Sequence, residues 1–126
     1  MQSFRANNCR SIFLGAVLAI AAAGVVFAAN PAHVQQLRET RSCEGCDLSN
    51  AELQGAELAH SLLAGANLRG ARLYGSNLIH SDFTGANLTG ADFSRANLNG
   101  ATGADLSHAK TTRDTICPNG QNGPCQ

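Results

Sequence analysis

Four cysteines beyond residue 40 carry the most reactive side chains of the 126-residue chain. Cys43 and Cys46 form a C-x-x-C motif, whereas Cys117 and Cys125 lie near the carboxyl terminus. Four cysteines permit three pairings, and an exported chain favours disulfides over free thiols. We predict the two pairs that are local in sequence, Cys43 with Cys46 and Cys117 with Cys125. The second is supported by the Pro-, Asn- and Gly-rich sequence between its members, which reverses the chain.

A thiol-redox site is the alternative for the first pair. Redox C-x-x-C motifs place the first cysteine at a helix amino terminus, which stabilises its thiolate. Here Cys43 follows a predicted helix and Cys46 opens a predicted strand. A structural disulfide is therefore favoured, although the sequence leaves open whether the inward-facing Cys46 can turn far enough to reach Cys43.

His60 and His80 are a second set of residues with reactive side chains. They lie twenty residues apart, which is one turn of the repeat described below, so they are predicted to be neighbours on one corner. A metal site needs further ligands, and the next residue in that column is Gly100. Two solvated corner residues are the favoured interpretation, with an adventitious metal site as the alternative.

The remaining polar residues form no recognisable reactive constellation. There is no set of nucleophile, base and orienting group and no phosphate-binding glycine loop. We therefore predict no catalytic, cofactor-binding or metal-binding residues, no cofactor and no enzymatic activity. The formal net charge of zero gives no indication of a nucleic-acid partner.

A five-residue repeat organises these residues in space. Residues 46–100 divide without a gap into eleven units whose third residue is Leu or Phe, whose first is Ala, Ser or Cys, and whose fifth is often Gly. This period fits neither an α-helix nor a flat strand. If each unit is a short extended piece ending in a turn, its first and third residues face one side and its second the other. Four units then close one coil of twenty residues.

Stacking the chain at twenty-residue offsets predicts the core. The third residues form four inward columns, and the small first residues line the interior beside them. After Gly100 the phase changes; we interpret residues 101–103 as an insertion, after which Leu106, Thr111 and Ile116 would be the inward centres. The predicted core ladder comprises Leu48, Leu53, Leu58, Leu63, Leu68, Leu73, Leu78, Phe83, Leu88, Phe93, Leu98 and Leu106.

These units resemble the pentapeptide-repeat family, whose motif is A(D/N)LXX. The resemblance covers residues 46–100 and, less regularly, continues to about Ile116. It implies an all-β fold, a right-handed quadrilateral β-helix. In a rod of about three coils the two cysteine pairs lie ~15 Å apart at ~4.8 Å per coil, which argues against a shared four-cysteine zinc site.

The amino-terminal segment is predicted to be removed. Arg5 and Arg10 precede an apolar run, residues 12–27, that closes on small residues, which is typical of a secretory signal cleaved after Ala28. An uncleaved membrane anchor is the alternative, but the run is shorter than the ~20 residues a spanning helix needs. Without residues 1–28 the chain keeps seven basic and nine acidic residues, a net charge of −2.

A short helix and a terminal loop complete the predicted organisation. Asn30 can cap a helix that starts at Pro31 and ends near Arg41, with Val34 and Leu37 as its apolar stripe. Too short to be stable alone, it is predicted to cover the open end of the first coil. The predicted segments are a signal peptide (1–28), a capping helix with the cysteine loop (29–45), the repeat β-helix (46–116) and a disulfide-tied loop (117–126).

The favoured function is a non-enzymatic, exported structural or interaction module that binds another protein. It is predicted to make no stable membrane insertion after signal cleavage. The family resemblance raises one rival, a DNA-mimicking ligand of gyrase, but the signal sequence, the short rod and the near-neutral charge disagree with it. Exported family members with a short helix before a CxxCDL start resemble this chain and are common in photosynthetic bacteria. The predicted location is therefore the periplasm, the thylakoid lumen or the extracellular space.

Overall fold

The computed structural model describes residues 29–126; the predicted signal peptide, residues 1–28, lies outside the described residues. The described chain begins with one helix, α1, from Pro31 to Thr40. From Ser42 onward each β element is a single bridged residue rather than a longer strand. Eleven of the bridges are parallel and one is antiparallel: Ser42 with Leu62, Asp47 with Asn67, Glu52 with Arg72, Glu57 with Asn77, Leu62 with Asp82, Asn67 with Asn87, Arg72 with Asp92, Asn77 with Asn97, Asp82 with Thr102, Asp92 with Lys110, Asn97 with Ile116, and antiparallel Ile116 with Asn122.

The twenty-residue spacing of most bridges defines four sides. Side one contains residues 46–50, 66–70 and 86–90, and side two contains residues 51–55, 71–75 and 91–95. Side three contains residues 56–60, 76–80 and 96–100, and side four contains residues 61–65 and 81–85. On each side the bridged residue is the second of its unit, so the outward side chains stack in columns from coil to coil.

Backbone hydrogen bonds explain why one bridged residue per side is sufficient. The N–H of Leu53 donates to the carbonyl of Arg72 in the next coil (2.9 Å), and the N–H of Arg72 donates to the carbonyl of Ala51 (2.8 Å). At the corners between regular five-residue units, the first N–H of a unit donates to the third carbonyl of the preceding unit, as from Ala71 to Leu68 (2.9 Å). The backbone polar groups are therefore satisfied both along the rod and around its corners.

The corners require a left-handed backbone conformation at the fifth residue. Glycine adopts it without strain, and Gly75, for example, has a φ of 67°. His60, His80 and Arg95 occupy the same kind of corner with φ between 57° and 63°. Asn50 does so as well, at 60°. The frequent glycine at position five is therefore a consequence of the turn, and the exceptions mark corners that carry side chains.

The interior is filled by the inward columns. All twelve residues of the predicted core ladder are buried, and none exposes more than 5% of its surface. Phe83 and Phe93 meet edge to face at 6.1 Å between ring centroids. Removing each such side chain from water contributes roughly 1.5–3 kcal/mol. Hydrophobic burial along the whole rod is therefore the main stabilising term, and it leaves no open lumen.

Buried hydroxyl groups replace alanine at several first positions. Ser61 donates its hydroxyl to the carbonyl of Leu58 (2.7 Å), and Ser76 makes the equivalent bond to Leu73 (2.7 Å). Ser81 donates to the same Leu58 carbonyl (2.9 Å) and accepts the N–H of Ser61 (3.1 Å). Because a buried hydroxyl is costly without a partner, these bonds explain how serine is accommodated inside the coil.

The change of register after Gly100 differs from the prediction. Thr102 pairs with Asp82 at the usual spacing of twenty, so residues 101–103 form a shortened fourth side and not an insertion. The next pair, Asp92 with Lys110, has a spacing of eighteen, which shows that two residues are missing from this side. Three residues suffice because they keep a buried Ala101, a bridged Thr102 and a corner at Gly103 with a φ of 69°.

The last coil is also shifted by one residue from the predicted phase. Ile116 is half-buried and occupies the outward, bridged position instead of an inward centre. Its neighbours Thr115 and Cys117 are buried in its place. Thr111, by contrast, follows the bridged Lys110 and occupies the predicted third position of side two, where it is half-buried. The shift arises because side two gains one residue here, so that Ile116 pairs with Asn97 at a spacing of nineteen.

The amino-terminal end is covered by α1. The Oδ1 atom of Asn30 accepts the N–H of Ala32 (3.0 Å), and Arg41 ends the helix with a φ of 61°. Leu37 is fully buried and Val34 is half-buried against the core. The ladder starts at Ser42, four residues before the predicted start, because residues 42–45 already pair with side four.

Candidate functional site

The C-x-x-C motif is a disulfide inside the first coil. Cys43 and Cys46 are joined, with Cα atoms 5.3 Å apart. Cys43 occupies the inward third position of side four, in the column of Leu63, and Cys46 occupies the inward first position of side one. Both residues are buried. The sequence left open whether Cys46 could reach Cys43; because both positions point inward across one corner, neither has to turn.

The second disulfide joins Cys117 to Cys125 at the other end of the rod. Cys117 is buried at an inward position, and its N–H donates to the carbonyl of Gln121 (2.7 Å). The N–H of Gly123 donates to the carbonyl of Thr115 (2.7 Å). Together with the antiparallel bridge between Ile116 and Asn122, these bonds fold the tail over side three of the last coil.

Side two carries the densest set of charged side chains. Arg72 Nη1 lies 3.3 Å from Glu52 Oε1, and Lys110 Nζ lies 3.5 Å from Asp92 Oδ2. These ion pairs are mostly exposed, so each contributes at most about 1 kcal/mol. Glu52, Arg72, Asp92 and Lys110 stack in one column of side two. Negative and positive charges alternate along it, so its net charge is zero. Lys110 belongs to this column because it pairs with Asp92 at a spacing of eighteen residues.

An exposed aromatic ring lies beside this column. Tyr74 exposes 44% of its surface, and the guanidinium carbon of Arg95 lies 6.0 Å from the centre of its ring. Arg95 also approaches Asp114, with its Nε atom 3.7 Å from Oδ2. A shallow depression beside them is lined by Gln54, Gly70, Arg72, Tyr74, Gly90, Asp92 and Lys110. Side two thus combines an aromatic contact surface with both signs of charge.

His60 and His80 are neighbours on the corner between sides three and four. Their ring centroids are 5.3 Å apart, the planes are tilted by 33°, and both side chains are exposed. His33, by contrast, accepts the N–H of Asp47 at its Nδ1 atom (2.9 Å) and so ties α1 to the first coil. The sequence did not identify this role of His33, because nothing in the local pattern indicates a contact fourteen residues away.

The sequence of this chain matches the model of a known protein family. The sequence model for pentapeptide repeats matches residues 42–78 and 66–110 with eight copies. The chain belongs to the pentapeptide-repeat family. The resemblance noted from the sequence is thereby confirmed, and the match begins at Ser42, where the bridges of the structure also begin.

Solved structures of other pentapeptide-repeat proteins are similar to this one. The protein alr5209 from Nostoc PCC 7120 is 27% identical with a TM-score of 0.54, and the match covers 79% of this chain and 90% of that one. HetL, described as involved in heterocyst differentiation regulation in the same cyanobacterium, is 32% identical with a TM-score of 0.46, covering 69% and 46%. A thylakoid-lumen protein from Arabidopsis thaliana is 28% identical with a TM-score of 0.26, covering 60% and 61%. A search of curated proteins found no match.

The Asp or Asn at position two of this pentapeptide-repeat protein stabilises the following turn. Its Oδ1 atom accepts the N–H of the residue two positions later, as at Asn97 (3.0 Å to Asn99) and Asp92 (2.9 Å to Ser94). Glu52 and Glu57 also occupy position two, but their carboxylates bond Gln54 and Asn77 side chains instead. A short polar side chain at position two therefore makes a local hydrogen bond to the turn backbone, and the longer Glu side chain does not.

Four aspartates at position two have a lowered pKa. Asp47, Asp82 and Asp105 each accept hydrogen bonds from the hydroxyl and the backbone N–H of the residue two positions later. These donors, Ser49, Thr84 and Ser107, hold the pKa of each aspartate below its ordinary value. Burial raises the pKa of Asp92, but the hydrogen bond from the Ser94 backbone N–H and the nearby Lys110 ammonium outweigh it, so this pKa is also lowered. The four carboxylates are therefore ionised acceptors of the fold and poor candidates for proton transfer.

Between residues 29 and 126 there is no group of three or more His, Cys, Asp or Glu side chains that could hold a metal ion. Nor does any described helix have the length and apolar character needed to cross a membrane. Ser94 has a buried hydroxyl without a hydrogen-bond partner among these residues, and the adjacent Asp92 carboxylate accepts the Ser94 backbone N–H (2.9 Å) and pairs with Lys110 (3.5 Å). What the surface does offer is a set of four distinct, rigid sides.

Proposed function

We propose that this pentapeptide-repeat protein is a non-enzymatic, exported module that presents a rigid four-sided surface to another protein. The observation that carries the proposal is the contrast between the uniform interior and the varied exterior. Every inward column from Leu48 to Leu106 is filled, whereas the outward residues differ from side to side. We include the right-handed quadrilateral form in the proposal, and the twenty-residue pairing around four corners supports it.

We assign the contact with the partner to side two. Aromatic residues and arginine are enriched at protein interfaces, and here Tyr74 and Arg95 stand together on an exposed surface. The backbone beneath them is held by coil-to-coil hydrogen bonds, such as that from Gly75 to Ser94 (2.9 Å). Little entropy would be lost on binding, because the contact surface is already ordered.

Site-specific photo-crosslinking in the producing cell tests this assignment. A photoreactive amino acid is placed at an exposed fourth position on each side in turn, replacing Thr89 on side one, Tyr74 on side two, Asn99 on side three or Thr84 on side four. We expect a discrete crosslinked species from position 74 and much less from position 84. Equal crosslinking from all four sides, or from none, would contradict a defined interaction surface.

Export is a separate part of the proposal. The predicted signal segment and the two disulfides support it, since disulfides persist in oxidising compartments. The intact mass of the protein recovered from cells, with thiol alkylation under non-reducing conditions, is the test. We expect a mass that lacks residues 1–28 and is lower by four hydrogens. An Ala28→Leu variant, which lacks the small residue before the cleavage point, is expected to keep the segment. A wild-type chain of full length with free thiols would contradict export.

A gyrase ligand that mimics DNA is the alternative function. Such a ligand needs a strongly acidic face, but the carboxylates of side two are paired with Arg72 and Lys110. The other carboxylates are spread over the remaining sides, for example Asp47 on side one and Asp82 on side four. We therefore expect the protein to leave DNA supercoiling by gyrase unchanged at micromolar concentration. Inhibition of supercoiling would support the alternative and contradict the proposal.

A further inference from the structure

Two imidazole rings stand side by side on an exposed corner, and the proposed interaction on side two does not use them. The ring centroids of His60 and His80 are 5.3 Å apart, and their planes open at 33°. Both residues have a left-handed backbone, with φ of 63° and 57°. Glycine or asparagine is the usual residue at such a position. The solenoid therefore places two histidines in adjacent coils at a position where histidine is not required by the fold.

The backbone beneath both rings is fixed. The N–H of His60 donates to the carbonyl of Ile79 (2.8 Å), and the N–H of His80 donates to the carbonyl of Asn99 (2.9 Å). These are the regular bonds between stacked coils, so the separation of the two backbones is the coil spacing of ~4.8 Å. Only the side-chain torsions remain to be ordered when a ligand binds, which keeps the entropic cost low.

The ring nitrogens of this pair are free of other described residues, unlike those of the two remaining described histidines. His33 Nδ1 accepts a backbone N–H, and His108 Nδ1 lies 3.0 Å from the hydroxyl of Ser107. Across residues 29–126, neither His60 nor His80 has a hydrogen bond from its ring to another side chain or to the backbone. Both side chains are exposed, and the fold uses neither ring as a hydrogen-bond donor or acceptor.

We propose that His60 and His80 form a two-imidazole site for a divalent late transition-metal ion, with Cu²⁺ bound most tightly. Each imidazole nitrogen binds such an ion at about 2.0–2.1 Å, so the two nitrogens must lie within roughly 4 Å of each other. Small rotations of two exposed rings whose centroids are 5.3 Å apart satisfy this condition. Imidazole suits Cu, Ni and Zn ions, and divalent affinities rise toward Cu²⁺.

Gly100 indicates which nitrogen binds the ion. It occupies the same corner in the next coil, where a Cβ atom would overlap Nδ1 and Cε1 of His80. Glycine thus lets the His80 ring lie over this corner of the next coil, with Nδ1 the ring atom nearest to the place a Cβ atom of residue 100 would occupy. The structure therefore assigns coordination at His80 to Nε2, with water or a group from a partner completing the coordination sphere.

The charges nearby predict a moderate affinity. The guanidinium of Arg41 bonds the carbonyl of Ala59 (3.0 Å), one residue before His60, and places a positive charge close to the site. Glu57 lies on the same side, but its carboxylate accepts the amide of Asn77 (2.5 Å). With two ligands and a neighbouring cation, we expect micromolar rather than nanomolar binding of Cu²⁺.

Titration of the full chain with Cu²⁺ alone, in a buffer that does not coordinate metals, tests the site. Calorimetry gives the affinity, and electron paramagnetic resonance detects coupling to imidazole nitrogens. We expect one site with two coordinated imidazoles. His60→Asn and His80→Asn are each expected to weaken binding by about tenfold or more, because one imidazole cannot replace two preorganised ones. Asparagine is chosen because it tolerates the left-handed backbone.

A matched control separates this site from non-specific binding. His108→Gln removes an exposed histidine from another corner and is expected to leave the affinity unchanged. Unchanged melting temperatures of all three variants would show that they fold. Equal binding by wild type and both corner variants, or a loss of binding in His108→Gln, would overturn the proposal. So would an affinity that does not rise from Mn²⁺ to Cu²⁺.

Discussion

Lys110 stands directly above Asp92 on side two although only eighteen residues separate them, and its Nζ atom lies 3.5 Å from Asp92 Oδ2. The chain has thus lost two residues of one coil and still returned to the same column. The loss is confined to residues 101–103, where one unit is reduced to Ala-Thr-Gly. A pentapeptide-repeat solenoid can therefore shorten one side without leaving its register on the next.

The shortened side makes Gly103 more sensitive to substitution than an ordinary corner. Gly103 and Gly75 have similar φ values, 69° and 67°, so replacement by alanine strains both backbones to a similar extent, about 1–2 kcal/mol. A Cβ atom at Gly103 would also lie 2.6 Å from Thr84 Cα, whereas one at Gly75 has no atom within 4 Å. We expect Gly103→Ala to cost about 1–3 kcal/mol more than Gly75→Ala in urea unfolding. Equal costs would show that the close contact relaxes freely.

The inward leucines are predicted to dominate stability. Leu73 is fully buried in the middle coil, and Leu73→Ala is expected to lower the free energy of unfolding by about 2–5 kcal/mol, because it removes buried apolar surface and leaves a cavity. Leu62 is the matched control, since it exposes 45% of its surface on side four. Leu62→Ala is expected to change stability by less than about 0.5 kcal/mol. Similar losses in thermal or urea unfolding would contradict the assignment of inward and outward positions.

The aspartates at position two make stability dependent on pH. Their folded-state pKa values lie below the ordinary 3.8. A lowered folded pKa means that the stabilisation is present above 3.8 and is lost as the pH falls through the folded values. We therefore expect the urea midpoint to fall steadily from pH 3.8 downward.

Asparagine variants test that explanation. The combined Asp47→Asn, Asp82→Asn and Asp105→Asn variant keeps the Oδ1 acceptor of each turn and removes the titrating group. We expect the acid-induced fall in the urea midpoint to become shallower, with little change near neutral pH. A variant whose acid profile coincides with that of wild type would assign the pH dependence to other carboxylates.

Each disulfide is predicted to stabilise its own end of the rod. Removing a native disulfide from a small exported domain typically costs about 2–5 kcal/mol, and coils in a solenoid contact only their neighbours. Cys117→Ser combined with Cys125→Ser is expected to increase proteolytic cleavage after residue 110. Cys43→Ser combined with Cys46→Ser should instead expose α1 and the first coil. Mass spectrometry of the early fragments distinguishes the two patterns, and cleavage at the same sites in both variants would contradict local stabilisation.

Most of the repeat could be predicted from the sequence because its cause is local. A large apolar residue at the third position and a small one at the first have to be hidden together, and only a turn every five residues hides both columns. The positions of Leu48 through Leu98 follow from this condition alone. The short polar side chain at position two follows from the same turn, since Asn or Asp reaches the N–H two residues later and Glu52 does not.

Contacts between coils decided the rest, because they join residues that no local pattern relates. Residues 101–103 are Ala-Thr-Gly, which by themselves look like an insertion. Only the pairing of Thr102 with Asp82 and of Lys110 with Asp92 shows that these three residues form a whole side. The inward position of Cys43 depends on its pairing with side four of the next coil, and the role of His33 depends on where α1 meets Asp47. The sequence by itself determined the period and the inward columns, since these arise within five residues. The tertiary structure decided the register of the ends and how closely the His60 and His80 rings approach each other, since both depend on how one coil stacks on another.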